Sequence, residues 1–175
     1  KNKVKIFSGE ASFKSSNNII VKGENNVVYE ISGKSICIAT GGRPRQIDGI
    51  PNSSSLWFYK DALQVDKIPK RLLVVGSGAI GMEFAYVYNA FGTKVTIIEM
   101  LDRILPAEDD EISKLALRAF KKQGMAIHTG AAVQSVETND SGVSVTFADV
   151  NDESKVQTEN GDKVLVAIGV GPRAD

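Results

Sequence analysis

One continuous run, LLVVGSGAIGMEFAYVYNAFGTKVTIIE from Leu72 to Glu99, constrains the fold of this chain more than any other feature. The run predicts a short buried strand, a glycine-rich turn, a helix over residues 79 to 91, a second strand and a terminal carboxylate. Strand, turn and helix in this order belong to the β-α-β unit of parallel sheets. The sequence therefore predicts an α/β fold built around a parallel sheet.

The glycines of this run are spaced as GxGxxG, and each has a physical reason. Gly76 permits the sharp bend from strand to helix, Gly78 lets a pyrophosphate approach the backbone, and Gly81 lets the helix pack closely on the strands. The start of the helix then offers free N–H groups to the phosphates. The alternative is a glycine turn without a ligand. The strand, helix and acid around the motif favour a dinucleotide site.

Glu99 ends the second strand, 18 residues after Gly81. A carboxylate at this place can accept hydrogen bonds from both hydroxyls of an adenosine ribose, and it repels a 2'-phosphate. The sequence therefore predicts binding of NAD(H) rather than NADP(H). Arg103 could instead meet a phosphate, but the acids Glu99 and Asp102 beside it make that alternative the weaker one.

Outside this run the chain predicts more strands and a second long helix. Residues 3 to 39 indicate a β-meander with strands in VKIFSG, NIIVKG, VVYEIS and KSICIAT, and residues 40 to 55 indicate a connection between two structural units. A helix is expected from Asp109 to Gln123, acidic in its first turn and basic in its last. MAIHTG is expected to be a third parallel strand, AVQSVET, GVSVTFA and SKVQTE an antiparallel insert, and DKVLVAIG a final buried strand.

Charge and cysteine content exclude several classes of function. With 21 basic and 21 acidic residues the chain has no field to attract nucleic acid or an anionic membrane, and no apolar run reaches the ~20 residues of a membrane-spanning helix. Cys37 is alone, which excludes an intrachain disulfide, fits a reducing cytoplasmic compartment and, within SICIAT, predicts burial. His128, the only histidine, is expected to be packed or half-exposed, so no catalytic or metal-binding residue is predicted.

Three stretches of the chain closely resemble the class I pyridine nucleotide-disulfide oxidoreductases, and among them the dihydrolipoamide dehydrogenases. The stretches are SICIATGGRPR with the IDGIP that follows, the run from Val74 to Ala116, and VLVAIGVGPRAD. The resemblance covers essentially the whole chain and implies a Rossmann-like FAD/NAD(P)-binding fold. It implies that residues 1 to 49 end an FAD-domain segment, with its own β-meander. Residues 50 to 170 would be an NAD-binding domain with an antiparallel insert, and residues 171 to 175 would begin the return to the FAD domain.

The resemblance also implies which residues touch the two cofactors. Glu99 would hold the adenosine ribose, Val133 would touch the adenine, and Gly169 would approach the dinucleotide from a neighbouring strand. The residues that would line the pyrophosphate and approach the nicotinamide are Gly76, Ser77, Gly78, Ala79, Ile80, Gly81 and Glu83. The residues that would contact FAD are Thr40, Gly41, Gly42 and Ala11.

As a function, the resemblance implies an oxidoreductase that passes electrons from a lipoyl-bound dithiol through a redox disulfide and FAD to NAD⁺. Such an enzyme would be a homodimer within a 2-oxo acid dehydrogenase complex, such as the pyruvate dehydrogenase complex. The chain carries no CxxxxC pair, no FAD-binding GxGxxG at its start and no His-Glu pair, so on its own it is expected to be inactive and monomeric. The tail GVGPRAD departs from the family's commoner GRxPN. The alternatives are an NADH oxidase or a mercuric reductase of the same family, and a non-catalytic nucleotide-binding module.

Overall fold

The computed structural model describes residues 3–50, 52–139 and 142–173, and the chain divides into two compact units, Lys1–Thr40 and Gly41–Asp175. The expected assignment of residues 1 to 49, 50 to 170 and 171 to 175 to FAD-side and NAD-side segments concerns cofactors and stays a prediction. The assignment includes residues 1, 2, 51, 140, 141, 174 and 175, which lie outside the described residues.

The first unit is an antiparallel meander of β1 (Glu10–Ser15), β2 (Asn18–Lys22) and β3 (Val28–Ser32), paired in that order. The strands predicted in NIIVKG and VVYEIS are present. The prediction of strands in VKIFSG and KSICIAT is wrong, because residues 3–8 and 36–40 have no regular structure. A strand needs a partner for its N–H and C=O groups, and the described residues of this unit provide none at those places.

Cys37 is exposed, which corrects the expectation that it is buried. The run SICIAT is apolar, but within the described part of its unit it pairs with no strand, so no sheet face covers the thiol. An apolar run is buried only where the tertiary structure offers it a surface to pack against.

The second unit contains the helices and most of the strands. In chain order its elements are β4 (Gly42–Pro44), β5 (Leu56–Trp57), α1 (Tyr59–Leu63), β6 (Arg71–Val75), α2 (Ala79–Ala90), β7 (Lys94–Ile98), α3 (Asp110–Lys122), β8 (Ala126–His128), β9 (Ala131–Asn139), β10 (Gly142–Asp149), β11 (Asp152–Gly161), β12 (Lys163–Val166) and β13 (Val170–Pro172). Five strands form a parallel sheet in the order β5-β12-β6-β7-β8, and β11-β10-β9 form an antiparallel one. The predicted α/β fold with a parallel sheet and an antiparallel insert is confirmed.

Both faces of the parallel sheet are covered, which explains why its strands are apolar at successive positions. Along β6, Leu72 and Val74 belong to the core shared with α2 and α3, while Leu73 and Val75 belong to the core shared with the antiparallel sheet. Phe147 of β10 is 2% exposed in that second core. Burial of a side chain of this kind stabilises the fold by about 1.5 to 3 kcal/mol.

The two long helices begin and end within one residue of the predicted positions. Asp109 precedes α3, and its Oδ1 accepts a hydrogen bond of 2.8 Å from the N–H of Glu111, while Lys121 and Lys122 lie in the last turn. α2 begins after Gly78, which has no side chain to cap it. The first N–H groups of α2 therefore remain available to another acceptor.

The short elements β5 and α1 and the pairing of β4 with β13 were not predicted. They have two to five residues each, too few for a periodic pattern to show. β5 depends on a partner far along the chain, since Leu56 lies opposite Val164. Among the described residues, no helix is long and apolar enough to cross a membrane.

Candidate functional site

A cavity of about 650 Å³ lies at the carboxyl ends of β6, β7 and β12. From β6 the chain continues to β7 and β8 on one side of the sheet, whereas β12 returns on the other side. A reversal of strand order of this kind opens a crevice at the carboxyl ends of the strands, which is where open α/β sheets bind ligands. The lining comes from residues 75–80, 98–101 and 167–169, together with Ile47, Pro106, Ala131 and Val133.

The three glycines of the turn differ in what surrounds them. Gly76 has φ 98°, and a Cβ there would lie 2.6 Å from the carbonyl oxygen of Ala167. A Cβ on Gly81 would overlap the carbonyl oxygen of Gly76, so both glycines are required for packing. A Cβ on Gly78 would meet nothing within 4 Å, and the backbone there is one that any residue adopts. The fold alone gives no reason for glycine at 78, whereas a ligand passing over the backbone does.

The start of α2 faces this cavity. The first intrahelical hydrogen bond runs from the N–H of Met82 to the carbonyl of Gly78, at 3.0 Å. The N–H groups of Ala79 and Ile80, which line the cavity, have no acceptor among the described residues. Unpaired N–H groups and the helix dipole together make this end of the helix partly positive.

Glu99 is the one charged side chain among the described residues that line the cavity, and it is 7% exposed. Its Oε2 accepts hydrogen bonds from the N–H and the hydroxyl of Ser77, both at 2.7 Å, and its Oε1 accepts one from the N–H of Leu101 at 2.8 Å. Hydrogen bonds to a charged acceptor are stronger than those between neutral groups. The carboxylate therefore ties the glycine turn to the end of β7, and it forms no ion pair with a described residue.

The loop between β7 and α3 closes one side of the cavity. Leu105 has φ 48°, unusual for a bulky residue, and its N–H donates to the carbonyl of Ser77 at 2.9 Å.

Arg103 donates to Asp110 Oδ1 and to the carbonyl of Pro106, both at 3.2 Å. The hydrogen bond and charge of Lys114, followed by those of Arg103, hold the pKa of Asp110 below its usual range. Arg103 is therefore engaged at the start of α3 and does not line the cavity.

Most of the residues predicted for the nucleotide lie together. Gly76, Ser77, Gly78, Ala79, Ile80, Glu99, Val133 and Gly169 line the cavity. Gly81 is buried behind the turn, and Glu83 lies exposed on α2 outside the lining.

The residues predicted for FAD are not among those that line this cavity. Ala11 is opposite Val21 in the meander of the first unit, and Thr40 is the last residue of that unit. In the second unit, the carbonyl of Gly41 accepts from the N–H of Arg173 at 3.0 Å, and Gly42 pairs with Pro172. Their role toward FAD stays a prediction.

Sequence reasoning missed several residues of the lining, among them Ile47, Met100, Leu101 and Pro106. Ile47 comes from the Gly- and Pro-rich connection, which the N–H of Arg45 joins to the carbonyl of Gly169 at 2.9 Å. The sequence signal that could have identified Ile47 was the presence of an apolar residue within a mostly polar connection. Met100, Leu101 and Pro106 follow the carboxylate directly, where a loop at the carboxyl end of a strand is expected to reach a ligand.

His128 lies away from this cavity and is 27% exposed, and its ring centroid is 5.0 Å from that of Phe147. Its Nε2 is buried without a hydrogen-bond partner in the described structure and is 3.9 Å from Glu159 Oε1.

A larger and more polar cleft of about 740 Å³ lies near the amino ends of β5, β6 and β12. Its lining includes Lys67, Lys70 and Lys163. That cleft contains neither the glycine turn nor Glu99.

The chain is similar in sequence to a family of known proteins. The chain matches the family model described as pyridine nucleotide-disulphide oxidoreductase over residues 1–175. The dihydrolipoyl dehydrogenase of Zymomonas mobilis is 40% identical over 97% of this chain, and that of Bacillus subtilis is 39% identical over 99% of it. The chain spans 36% of the length of each of these relatives.

Solved structures show the same likeness. The HOCl-induced flavoprotein disulfide reductase RclA of Escherichia coli matches with a TM-score of 0.80 and 28% identity, covering 98% of this chain and 37% of that one. LpdA of Mycobacterium tuberculosis matches with a TM-score of 0.79 and 27% identity, covering 94% and 36%. As the sequence resemblance implied, the chain belongs to the pyridine nucleotide-disulphide oxidoreductase family.

Proposed function

We propose that this chain binds NAD(H), in preference to NADP(H), in the cavity at the carboxyl ends of β6, β7 and β12. The observation that carries the proposal is the buried carboxylate of Glu99 at the end of β7, held against the glycine turn by Ser77. An acid at this place is suited to an adenosine ribose with free hydroxyls.

The residues present fit a dinucleotide. The pyrophosphate would pass over Gly78, where no side chain intervenes, and meet the N–H groups of Ala79 and Ile80. The adenine would lie against Val133, and the far end of the dinucleotide would approach Gly169. When bound, the nicotinamide supplies a centre that accepts or gives a hydride, while the protein binds and orients it.

Discrimination against NADP(H) follows from the charges around the ribose. A 2'-phosphate would face the carboxylate of Glu99, and like charges in a buried site repel strongly. Arg103 is the cation that could pair with a 2'-phosphate, but it already donates to Asp110 and to the carbonyl of Pro106. Charge and geometry therefore both favour NAD(H).

For the whole protein, we propose a dihydrolipoyl dehydrogenase that uses FAD and a redox disulfide to carry electrons from a lipoyl-bound dithiol to NAD⁺, as a cytoplasmic homodimer within a 2-oxo acid dehydrogenase complex. The support is that relatives at 39 to 40% identity are dihydrolipoyl dehydrogenases. The chain alone has one cysteine and cannot form the redox disulfide, so by itself it would supply only the nucleotide site. Reduction of NAD⁺ by dihydrolipoamide in the full-length protein separates this activity from NADH oxidase and mercuric reductase activities.

Calorimetric titration of the full-length protein with NADH and NADPH tests the nucleotide site. We expect NADH to bind at least about tenfold more tightly, and Glu99→Gln to reduce that ratio, since a charge-assisted contact contributes roughly 1.5 to 3 kcal/mol. Glu137→Gln, an exposed carboxylate on β9, is the matched control and leaves the ratio unchanged. Equal affinity of the wild-type protein for the two nucleotides, or binding of neither, contradicts the proposal.

A further inference from the structure

The cleft of about 740 Å³ at the amino ends of β5, β6 and β12 is positively charged. Its lining carries the ammonium groups of Lys67, Lys70 and Lys163, and Asp162 is the one acid among the described residues of that lining. Positive charge is therefore in excess here, although the whole chain has 21 basic and 21 acidic residues. A concave surface lined mostly by one sign of charge concentrates the electric field and attracts ligands of the opposite sign.

The carboxylate of Asp162 is engaged by the backbone. Its Oδ2 accepts hydrogen bonds from the N–H of Lys70 at 2.7 Å and from the N–H of Arg71 at 2.9 Å. These bonds join the start of β6 to the residue that precedes β12. Within the part of the chain that the structure describes, Asp162 forms no ion pair with a lysine of the cleft. The carboxylate therefore holds the sheet edge together and leaves the ammonium groups without a contacting counter-ion.

The three lysines differ in how firmly they are held. Lys163 is half-buried, its Nζ donates to the carbonyl of Ser54 at 2.7 Å, and it lies 5.5 Å from the centroid of the Trp57 ring. An ammonium group has three donors, so two remain on Lys163. Lys67 and Lys70 are exposed, and their ammonium groups have no partner among the described residues. The cleft thus presents one fixed cation and two cations that can move to a ligand.

Linked phosphate groups suit both the charge and the size of this cleft. Lysine binds phosphate as a point charge, and a serine hydroxyl can donate to a phosphate oxygen. Oγ of Ser53 accepts the N–H of Ser55 at 3.2 Å, which leaves its own proton for a ligand. A volume of about 740 Å³ exceeds that of a single phosphate and lies within the range of about 300 to 1,000 Å³ for small-molecule sites.

We propose that this cleft binds a small molecule that carries two or more linked phosphates, held by the ammonium groups of Lys67, Lys70 and Lys163. The site is separate from the proposed NAD(H) site, which lies at the carboxyl ends of the strands. The phosphate chain can be free or attached to a nucleoside, and the experiment distinguishes these sources.

Titration of the full-length protein with tripolyphosphate, in the presence of saturating NADH, tests the site. NADH keeps the phosphate chain out of the cavity beside α2. We expect the Lys67→Gln/Lys70→Gln variant to bind tripolyphosphate about tenfold more weakly than the wild-type protein, because each lost ion pair costs a factor of up to about five. The same variant should bind NADH within about twofold of the wild-type affinity, since neither lysine lines the other cavity.

Lys121→Gln/Lys122→Gln is the matched control, because it removes two positive charges from exposed positions in the last turn of α3. Its affinity for tripolyphosphate should stay within about twofold of the wild-type value. Equal losses in the two double variants would overturn the proposal, since the response would then follow net charge alone. Absence of binding to the wild-type protein at millimolar tripolyphosphate would overturn it as well.

Two further ligands define the chemistry. Citrate carries three carboxylates and fewer charges than tripolyphosphate, so we expect it to bind at least about fivefold more weakly. Equal affinity for citrate would contradict the assignment to phosphates. ATP identifies the source: affinity equal to or above that of tripolyphosphate supports a nucleotide-borne chain, and lower affinity supports a free one.

Labelling of lysines with an amine-reactive acetylating reagent tests the proposal in the wild-type protein, without a substitution. Tripolyphosphate should slow the labelling of Lys67 and Lys70 several-fold, as measured by mass spectrometry, and leave Lys121 and Lys122 unaffected. Unchanged labelling of Lys67 and Lys70 at saturating tripolyphosphate would place the ligand elsewhere and overturn the proposal.

Discussion

A Cβ on Gly76 would lie 2.6 Å from the carbonyl oxygen of Ala167, at the point where β6 and β12 end side by side. Two residues further on, Gly78 has open space where its Cβ would be. The first glycine is therefore required by the contact between strand ends, whereas the second is required only if a ligand crosses it. This difference makes the pair a direct test of whether the turn is structural or functional.

We expect the Gly78→Ala variant to fold normally and to bind NADH more weakly. Its φ of −67° suits alanine, so the free energy of unfolding should stay unchanged or rise by up to about 1 kcal/mol. The added methyl group would meet the pyrophosphate and weaken NADH binding by about tenfold or more. Gly76→Ala is the contrasting variant and should lower stability by about 1 to 3 kcal/mol. Normal NADH affinity in Gly78→Ala, measured beside thermal denaturation, would show that no ligand passes there.

Arg103→Ala is expected to leave the ratio of NADH to NADPH affinity within about twofold of the wild-type ratio. The guanidinium is held by Asp110 and by the carbonyl of Pro106, and an exposed pair of this kind contributes about 1 kcal/mol or less. A selective loss of NADPH binding in titrations of this variant would assign Arg103 to a 2'-phosphate, the alternative left open by the sequence.

Tyr88→Phe is expected to be less stable near neutral pH and less sensitive to alkali. The hydroxyl of Tyr88 donates to the carbonyl of Ala62 at 2.7 Å, and its loss should cost about 1 kcal/mol. Burial raises the pKa of Tyr88 above its ordinary value. The neutral phenol therefore stabilises the folded state fully below roughly pH 10, and that stabilisation is lost as the pH rises through the raised pKa.

Urea denaturation at several alkaline pH values measures this difference between Tyr88→Phe and the wild-type protein. Tyr86→Phe is the control and should follow the wild-type curve, because Tyr86 is 53% exposed. Parallel curves for Tyr88→Phe and the wild-type protein would show that the buried phenol does not contribute to alkaline unfolding.

Asp109→Ala is expected to lower the free energy of unfolding by about 0.5 to 2 kcal/mol, because it removes the side chain that caps α3. Glu108→Ala, one residue earlier and exposed, should change stability by less than about 0.5 kcal/mol. Equal effects of the two substitutions in thermal denaturation would mean that the cap is not formed in solution.

Local signals were sufficient for the elements that begin and end on a few neighbouring residues. The apolar run before Gly76, the spacing of the three glycines and the cap at Asp109 act within one or two turns of chain, so their structures could be predicted within a residue. Glu99 was placed at the edge of the site for the same reason, since a residue that ends a parallel strand lies at the edge where ligands bind.

Other features depended on parts of the chain that lie far apart. The strand expected around Cys37 failed for lack of a partner in the described structure, and Ile47 reached the cavity because the neighbouring backbone of Arg45 bonds to Gly169. Periodicity in one segment carries no information about which second segment will pair with it. The sequence by itself determined the strand, turn, helix and acid of a nucleotide site, because these depend on neighbouring residues. Only the tertiary structure decided that Ser77 holds the Glu99 carboxylate, because Ser77 follows β6 and meets that carboxylate only once β6 and β7 lie side by side.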